Sequence, residues 1–125
     1  MGTRAIAQGD KITGICPNHL VPSASGTAPA GPLDFSAPMT QGLVSNVLIG
    51  GKPAAVVGAS GYNEKVHAGI VDGAFAAATM QVGRILSGSV TVLIGGKPAA
   101  TLVSSCTCCV VPGKLGPGAA TVLIG

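Results

Sequence analysis

The sequence predicts a small, irregular all-β protein built from three short β-hairpins. Two observations carry this prediction: one phrase recurs along the chain, and large side chains are scarce. The phrase "VLIGGKPAA" runs from Val47 to Ala55 and again from Val92 to Ala100, and "TVLIG" recurs at 121–125. Repetition of this kind is typical of an architecture assembled from like units. The three units therefore predict an approximate threefold repetition.

The composition limits both the core and the function. With 20 Gly, no Trp and 2% aromatic residues, the chain cannot fill a thick core, and we expect one domain over 1–125. Only 9% of the residues are charged, against about 25% in an average soluble protein, which favours burial by a partner. The basic residues are spread singly and aromatics are rare, so we expect no nucleic-acid binding. No run of about 20 apolar residues spans a bilayer and no secretory signal begins the chain, which predicts a cytoplasmic protein at first.

Each complete unit predicts a hairpin. "TVLI" favours a strand, Gly-Gly supplies the positive φ angles of a tight turn, and "KPAA" forms the returning strand. Pro53 and Pro98 cannot donate to a ladder, which places the returning strand at an edge. The Ala pair after each proline allows neighbouring units to approach closely. For the third unit we expect only the outgoing strand.

Three variable connections join the units. Residues 16–42 are rich in Pro, Ser, Gly and Ala and predict an irregular loop. In 56–83, Asp72 can cap a short Ala-rich helix that Gly83 ends, with a strand or a buried coil as alternatives. Residues 101–113 carry "SSCTCCVVPG".

The strong metal-ligand types lie only in these connections. They are four cysteines and two histidines: Cys16, Cys106, Cys108, Cys109, His19 and His67. The C-x-x-H spacing of Cys16 and His19 lets one loop place two ligands on one ion. Buried thiols and two disulfides are the alternatives, the latter disfavoured in the cytosol. Adjacent Cys108 and Cys109 cannot both point at one centre from an extended strand.

Signals for an enzyme are weak. The four acidic residues form no recognisable pair, and "GGKP" has proline where a phosphate loop needs Ser or Thr. A dyad of Cys106 with His67 has no third group to orient it. A small cysteine-dependent enzyme or a redox or metal-binding protein, using Cys106, Cys108 or Cys109, is the alternative function.

Repeated "TVLIGGKPAA" phrases, separated by loops that hold Cys and His, resemble the PAAR-repeat family. Its members are the spike tips of type VI secretion systems and related contractile injection systems. The resemblance implies a cone of three hairpins with pseudo-threefold symmetry, one structural zinc ion near its point (iron being able to replace it), and no catalytic activity. This sequence departs from the family motif at the Arg that follows the PAA phrase, which is Val56 in one copy and Thr101 in the other.

The resemblance also implies a ligand set. A family ligand commonly follows the second Ala of the PAA phrase by eight residues, which gives Cys108 in one copy. The other copy gives Asn63, a poor ligand, so the nearby His67 is chosen. The Cys-Pro pattern after Gly-Asp gives Cys16 and then His19. Cys106 and Cys109 stand as substitutes for the fourth ligand.

The partner implied by the resemblance is a trimeric β-helical spike (VgrG-like) protein, which one chain of this protein caps as a monomer. The partner-binding residues would be those of the three outgoing strands: Val47, Leu48, Ile49, Val92, Leu93, Ile94, Val122, Leu123 and Ile124. We expect an effector or cargo protein to travel as a separate chain or on the spike. The tip would contact the target membrane only transiently, and would be translocated to the target cell after loading.

Overall fold

Strands dominate the chain in the computed structural model, which describes residues 2–17, 19–71, 80–109 and 111–124, and the all-β prediction is confirmed. No helix in those ranges is both long and apolar enough to cross a membrane. The strands are short: β1 (Thr3–Arg4), β2 (Lys11–Cys16), β3 (Leu20–Ser23), β4 (Gly26–Pro29), β5 (Leu33–Pro38), β6 (Val44–Ile49), β7 (Lys52–Ala54), β8 (Ser60–Tyr62), β9 (Val82–Ile85), β10 (Leu93–Ile94), β11 (Lys97–Pro98), β12 (Cys106–Cys108), β13 (Val111–Pro112), β14 (Lys114–Gly116) and β15 (Leu123–Ile124).

The strands form several small antiparallel sheets and no closed barrel. Two sheets carry the connections, one in the order β14-β2-β5 and the other in the order β13-β12-β9-β8. The remaining sheets are two-stranded pairs: β6 with β7, β10 with β11, β3 with β4, and β1 with β15.

Both complete repeats form the predicted hairpins. Strand β6 pairs with β7, and β10 pairs with β11. In the first turn Gly50 and Gly51 have φ of 58° and 81°, and the second turn, Gly95-Gly96, has 59° and 80°. Two consecutive positive φ angles are those of a type I′ turn, whose twist matches that of the flanking strands. Glycine adopts them without the steric cost that a Cβ atom brings.

The third unit is also a hairpin, made from the two ends of the described chain. Strand β15 pairs with β1, with Ile124 opposite Thr3 and Leu123 opposite Arg4. The register repeats that of β10 and β11, where Ile94 is opposite Lys97. The expectation of a lone outgoing strand was therefore wrong, because "GTRAIA" near the start of the chain supplies the return.

A ring of backbone hydrogen bonds joins the three units. The amide of Ile6 donates to the carbonyl of Ala100, that of Ala100 to Ala55, and that of Ala55 back to Ile6, at 3.0–3.1 Å. A second cyclic set has distances of 2.9–3.0 Å. In it the backbone amides of Gln8, Val57 and Leu102 donate to the carbonyl oxygens of Pro53, Pro98 and Arg4, respectively. Closed cycles with equivalent members are what a threefold arrangement of units produces, which agrees with the predicted repetition.

Small side chains at the ring separate two apolar clusters. The first residue of each pair, Ala5, Ala54 or Ala99, is fully buried in a cluster with Ile49 and Ile124. The second residue, Ile6, Ala55 or Ala100, is fully buried in the larger cluster, which contains Phe35, Met39 and three of the cysteines. Successive residues of an extended chain face opposite sides, so each of the pairs Ala5-Ile6, Ala54-Ala55 and Ala99-Ala100 contributes to both clusters.

The connections are more ordered than the sequence predicted. The segment 16–42, expected as an irregular loop, contains the hairpin of β3 and β4 and the whole of β5. Three of its five prolines, Pro22, Pro29 and Pro38, lie in these strands, which belong to small sheets with few ladder bonds to lose. The short helix predicted between Asp72 and Gly83 falls mostly on 72–79, outside the described residues, and β9 (Val82–Ile85) begins before its expected end.

Candidate metal centre

Four Cys and His side chains from distant parts of the sequence meet at one point. The ligand atoms of Cys16, His19, His67 and Cys109 all lie within 4.8 Å of one another. Tetrahedral zinc, with bonds of about 2.0–2.3 Å, holds its ligand atoms roughly 3.3–3.8 Å apart, close to this spacing. The group can therefore hold one metal ion.

Each ligand stands at the end of a strand or just beyond one. Cys16 ends β2, where it pairs with Leu33 of β5, and His19 precedes β3. Cys109 follows β12, which lies between β9 and β13. His67 belongs to the connection after β8. Strand ends converge here because β2, β5 and β12 pack against one another, which brings loops separated by dozens of residues together.

The hydrogen bonds of His67 leave one ring nitrogen for a metal. Its Nε2 lies 2.8 Å from the carbonyl oxygen of Asp34, a partner that requires a proton on Nε2. Its Nδ1 is buried, since the residue is only 4% exposed, and this atom makes no hydrogen bond. A buried polar atom of this kind costs free energy unless something satisfies it. A carbonyl on the far nitrogen is the usual partner of a metal-bound histidine.

His19 is equally buried and packs edge to face on His67, with ring centroids 4.7 Å apart. Its Nε2 is a buried atom for which no hydrogen bond is made. Two imidazoles in contact, each with a buried ring nitrogen, form a donor set that suits zinc or iron better than a hard cation.

Cys109 reaches the group through an unusual backbone angle. With φ of 56° it is the one residue other than glycine, within the described ranges, that has a positive φ. Left-handed backbone costs a non-glycine residue about 1–2 kcal/mol, and such strain concentrates at functional sites. The angle ends the extended run of β12 and turns the half-buried thiol of Cys109 toward Cys16.

The group contains Cys109, which stood as a substitute for the fourth ligand, and does not contain Cys108. The Cys108 thiol is fully buried and lies 3.7 Å from the carbonyl oxygen of Pro112. It packs directly over Gly14, where an added Cβ would lie 2.6 Å from the sulfur. Cys106 is buried two residues earlier on the same strand face. Cys108 thus fills the core beneath the site.

Burial favours the protonated form of three thiols, those of Cys16, Cys106 and Cys108. Burial, followed by the hydrogen bond with Cys109, raises the pKa of Cys16 to about 12. Burial also raises the pKa of Cys106 and of Cys108 to about 11. No two of the four cysteines are joined by a disulfide, so the disulfide alternative is not supported. A nucleophilic cysteine needs a lowered pKa, so Cys106 and Cys108 lack the activation that the cysteine-enzyme alternative requires.

The three outgoing strands expose one leucine each at equivalent positions. Leu48, Leu93 and Leu123 are 61%, 63% and 60% exposed. The neighbouring isoleucines Ile49 and Ile124 are buried in the smaller cluster, because alternate residues of a strand face opposite sides. These two isoleucines have little exposed surface, so the leucines are the most exposed of the predicted partner-binding residues. Val47 is exposed, while Val92, Ile94 and Val122 are half-buried against the cluster.

The family model of the PAAR motif matches residues 76–125. This range contains the second complete repeat, the cysteine-rich connection and the final VLIG phrase, so the resemblance to PAAR proteins is confirmed over that part of the chain. The motif belongs to spike-tip proteins, which are structural. No curated protein and no solved structure matches the chain.

Proposed function

We propose that this protein is the tip of a contractile injection spike, stapled by one structural zinc ion and seated on a trimeric (VgrG-like) partner. The observation that carries the proposal is the coincidence of two features in one chain. Three equivalent hairpins surround a cyclic hydrogen-bond ring, and a Cys/His group lies in the connections of the larger cluster. The PAAR-motif match supports the spike-tip role.

The docking face consists of the three hairpins. A trimer of identical chains offers three equivalent contacts, and a lone chain can meet all of them only if it repeats its own contact three times. The leucines at 48, 93 and 123 meet this condition, since their register and exposure are alike. We propose that they pack on the apolar ends of the trimer, with the adjoining strand edges available for pairing.

Zinc is the proposed ion because two thiolates and two imidazoles form a closed tetrahedral set of the structural type. When bound, it cross-links β2, the loop before β3, the His67 connection and the end of β12. Coordination by thiolates requires loss of the Cys16 proton, so binding should strengthen as pH rises. Iron is the alternative ion for the same donors.

The proposed mechanism is mechanical and involves no catalysis. A narrow, metal-fixed body concentrates the force of a contracting sheath on a small area of target membrane, which it contacts only transiently. An effector or cargo protein would travel on the spike or as a separate chain. The protein would stay in the cytoplasm until it is loaded and would then be translocated to the target cell.

The test is reconstitution with a candidate trimeric spike protein, measured by light scattering of the complex and by its zinc content. We expect one tip per trimer and one zinc per tip. Leu93→Asp should weaken assembly without changing zinc content. Val103→Asp is the matched control, because Val103 is 78% exposed and lies outside the hairpins. Equal assembly by both variants would contradict the docking face, and wild-type protein without metal would contradict the zinc staple.

A further inference from the structure

Gln81 is a fully buried side chain whose amide group bonds both backbone groups of one residue, His67. Its Oε1 accepts from the backbone amide of His67 at 2.8 Å, and its Nε2 donates to the carbonyl oxygen of His67 at 3.2 Å. The Gln81 side chain is 0% exposed. Burying a primary amide costs free energy unless it is fully hydrogen-bonded, so this double contact is a specific feature and not packing alone.

The backbone of His67 needs such a partner. The stretch 63–71 belongs to no strand, so no neighbouring strand supplies a ladder for its amides and carbonyls. Buried backbone groups are nearly always paired, and the Gln81 amide carries one acceptor and one donor in the geometry of a peptide group. It takes the place of a missing strand beside His67. The orientation of the amide is fixed, because a backbone N–H can only donate and must face Oε1.

Gln81 is itself held from a second side. Asn63 donates its Nδ2 to Oε1 of Gln81 at 3.1 Å, and its backbone amide donates to the Gln81 carbonyl at 2.9 Å. The Oδ1 of Asn63 accepts from the backbone amide of Ser36 in β5, at 3.1 Å. The clamp on His67 is therefore anchored to the sheet that also supplies Asp34, the partner of the His67 ring.

We propose that Gln81 is the positioning residue of the metal centre: it fixes the His67 backbone so that Nε2 meets Asp34 and Nδ1 faces the other three ligands. Gln81 acts through His67, because the hydrogen bonds of its amide go to the His67 backbone. As a statement about metal binding, the inference rests on the proposed zinc centre. As a statement about the His67 ring, it also applies to the metal-free protein.

The test compares Gln81→Met, which keeps the length and removes both hydrogen bonds, with Gln8→Met, the same change at an exposed position. Nitrogen-15 NMR of the metal-free protein reports which ring nitrogen of His67 carries the proton. We expect Nε2 in the wild type and in Gln8→Met, and a mixture of tautomers in Gln81→Met. Competition with a chromophoric chelator should show zinc affinity about 10–100-fold lower in Gln81→Met, the usual loss for an outer-shell partner, and unchanged in Gln8→Met.

A conservative variant separates positioning from mere folding. Gln81→Glu keeps the acceptor for the His67 amide but loses the donor to its carbonyl, so its zinc affinity should be lower than that of the wild type and higher than that of Gln81→Met. If Gln81→Met does not fold, Gln81→Glu is compared with the wild type alone. Lower thermal stability with unchanged tautomer and affinity in these variants would overturn the proposal. If the wild type binds no zinc but Gln81→Met still changes the tautomer, the zinc centre fails while the positioning of His67 stands.

Discussion

At the scale of single residues, the candidate centre depends on one backbone angle. The sequence showed that adjacent Cys108 and Cys109 could not both face one point from an extended strand, but not which would turn. The choice is made by the left-handed φ at Cys109 and by Gly14, which leaves room for the Cys108 sulfur. Both depend on packing between distant strands, so local propensity could not reveal them. The other three members of the group were named from the sequence because Cys and His are rare in it and because the resemblance to the PAAR-repeat family implied their positions.

The first prediction exploits this difference between the two cysteines. Cys109→Gly suits the positive φ but removes a ligand, so zinc affinity should fall by more than the roughly 10–100-fold typical of an outer-shell loss. Cys108→Ala, the matched control, should leave affinity near the wild-type value, although it removes a buried sulfur. Zinc competition against a chelator measures both, and the reverse ranking would contradict the choice of Cys109.

The second prediction concerns Glu64, whose carboxylate binds Lys11 at 2.8 Å and Ser36 at 2.6 Å. The hydrogen bond from Lys11, and to a smaller extent the one from Ser36, lowers the pKa of the Glu64 carboxyl from its ordinary value. A lowered pKa contributes stability above the unfolded-state value, and the contribution is lost as pH falls through the folded-state value. Urea unfolding should show wild type more stable than Glu64→Gln at neutral pH, with the difference vanishing in acid. High salt should reduce it as well, because both side chains are exposed. A difference independent of pH would contradict the ion pair.

At the scale of elements, the two complete hairpins were predictable because Gly-Gly between β-branched runs specifies a turn on its own. The third was not, because its return strand has Arg4 and Ile6 where the other copies have Pro and Ala, and the pairing joins opposite ends of the sequence. The strands in 16–42 were missed for a related reason. The pairing of β5 with β2, and of β3 with β4, outweighs a composition rich in turn residues.

The third prediction tests the turn chemistry at Gly51, whose φ is 81° and around which an added Cβ would meet nothing within 4 Å. Substitution there should therefore report backbone strain alone. Gly51→Val should lose about 1–2 kcal/mol of unfolding free energy, the cost of the left-handed region. Gly51→Asn should lose much less, because asparagine tolerates that region. Equal losses in urea unfolding would contradict a type I′ turn.

At the scale of the whole molecule, the three hairpins are equivalent, so the chain could be opened at a different hairpin turn without changing the fold. Ile124 lies opposite Thr3 as Ile49 lies opposite Lys52. Omitting Met1 and joining Gly125 to Gly2 would create Ile-Gly-Gly-Thr, the sequence pattern of the other turns.

The fourth prediction is that a circular permutant with this junction, opened between Gly95 and Gly96, folds and binds zinc like the original chain. Opening the chain there removes a turn equivalent to the one that the junction adds, so unfolding free energy and zinc affinity should stay close to those of the wild type. A permutant opened between Ala54 and Ala55, inside the hydrogen-bonded ring, is the control and should not fold. A folded control, or an unfolded test permutant, would contradict the equivalence of the three hairpins.

The pairing of β1 with β15 also governs how the molecule is made. On a ribosome the N-terminal strand emerges early, yet its partner Leu123–Ile124 is synthesised more than a hundred residues later. Ile6 must likewise wait for Ala55 and then Ala100 before its amide and carbonyl are paired. Nascent chains therefore carry β1 and Ile6 without their native partners for most of the synthesis of 3–124, and the third hairpin closes only after Leu123–Ile124 has left the exit tunnel.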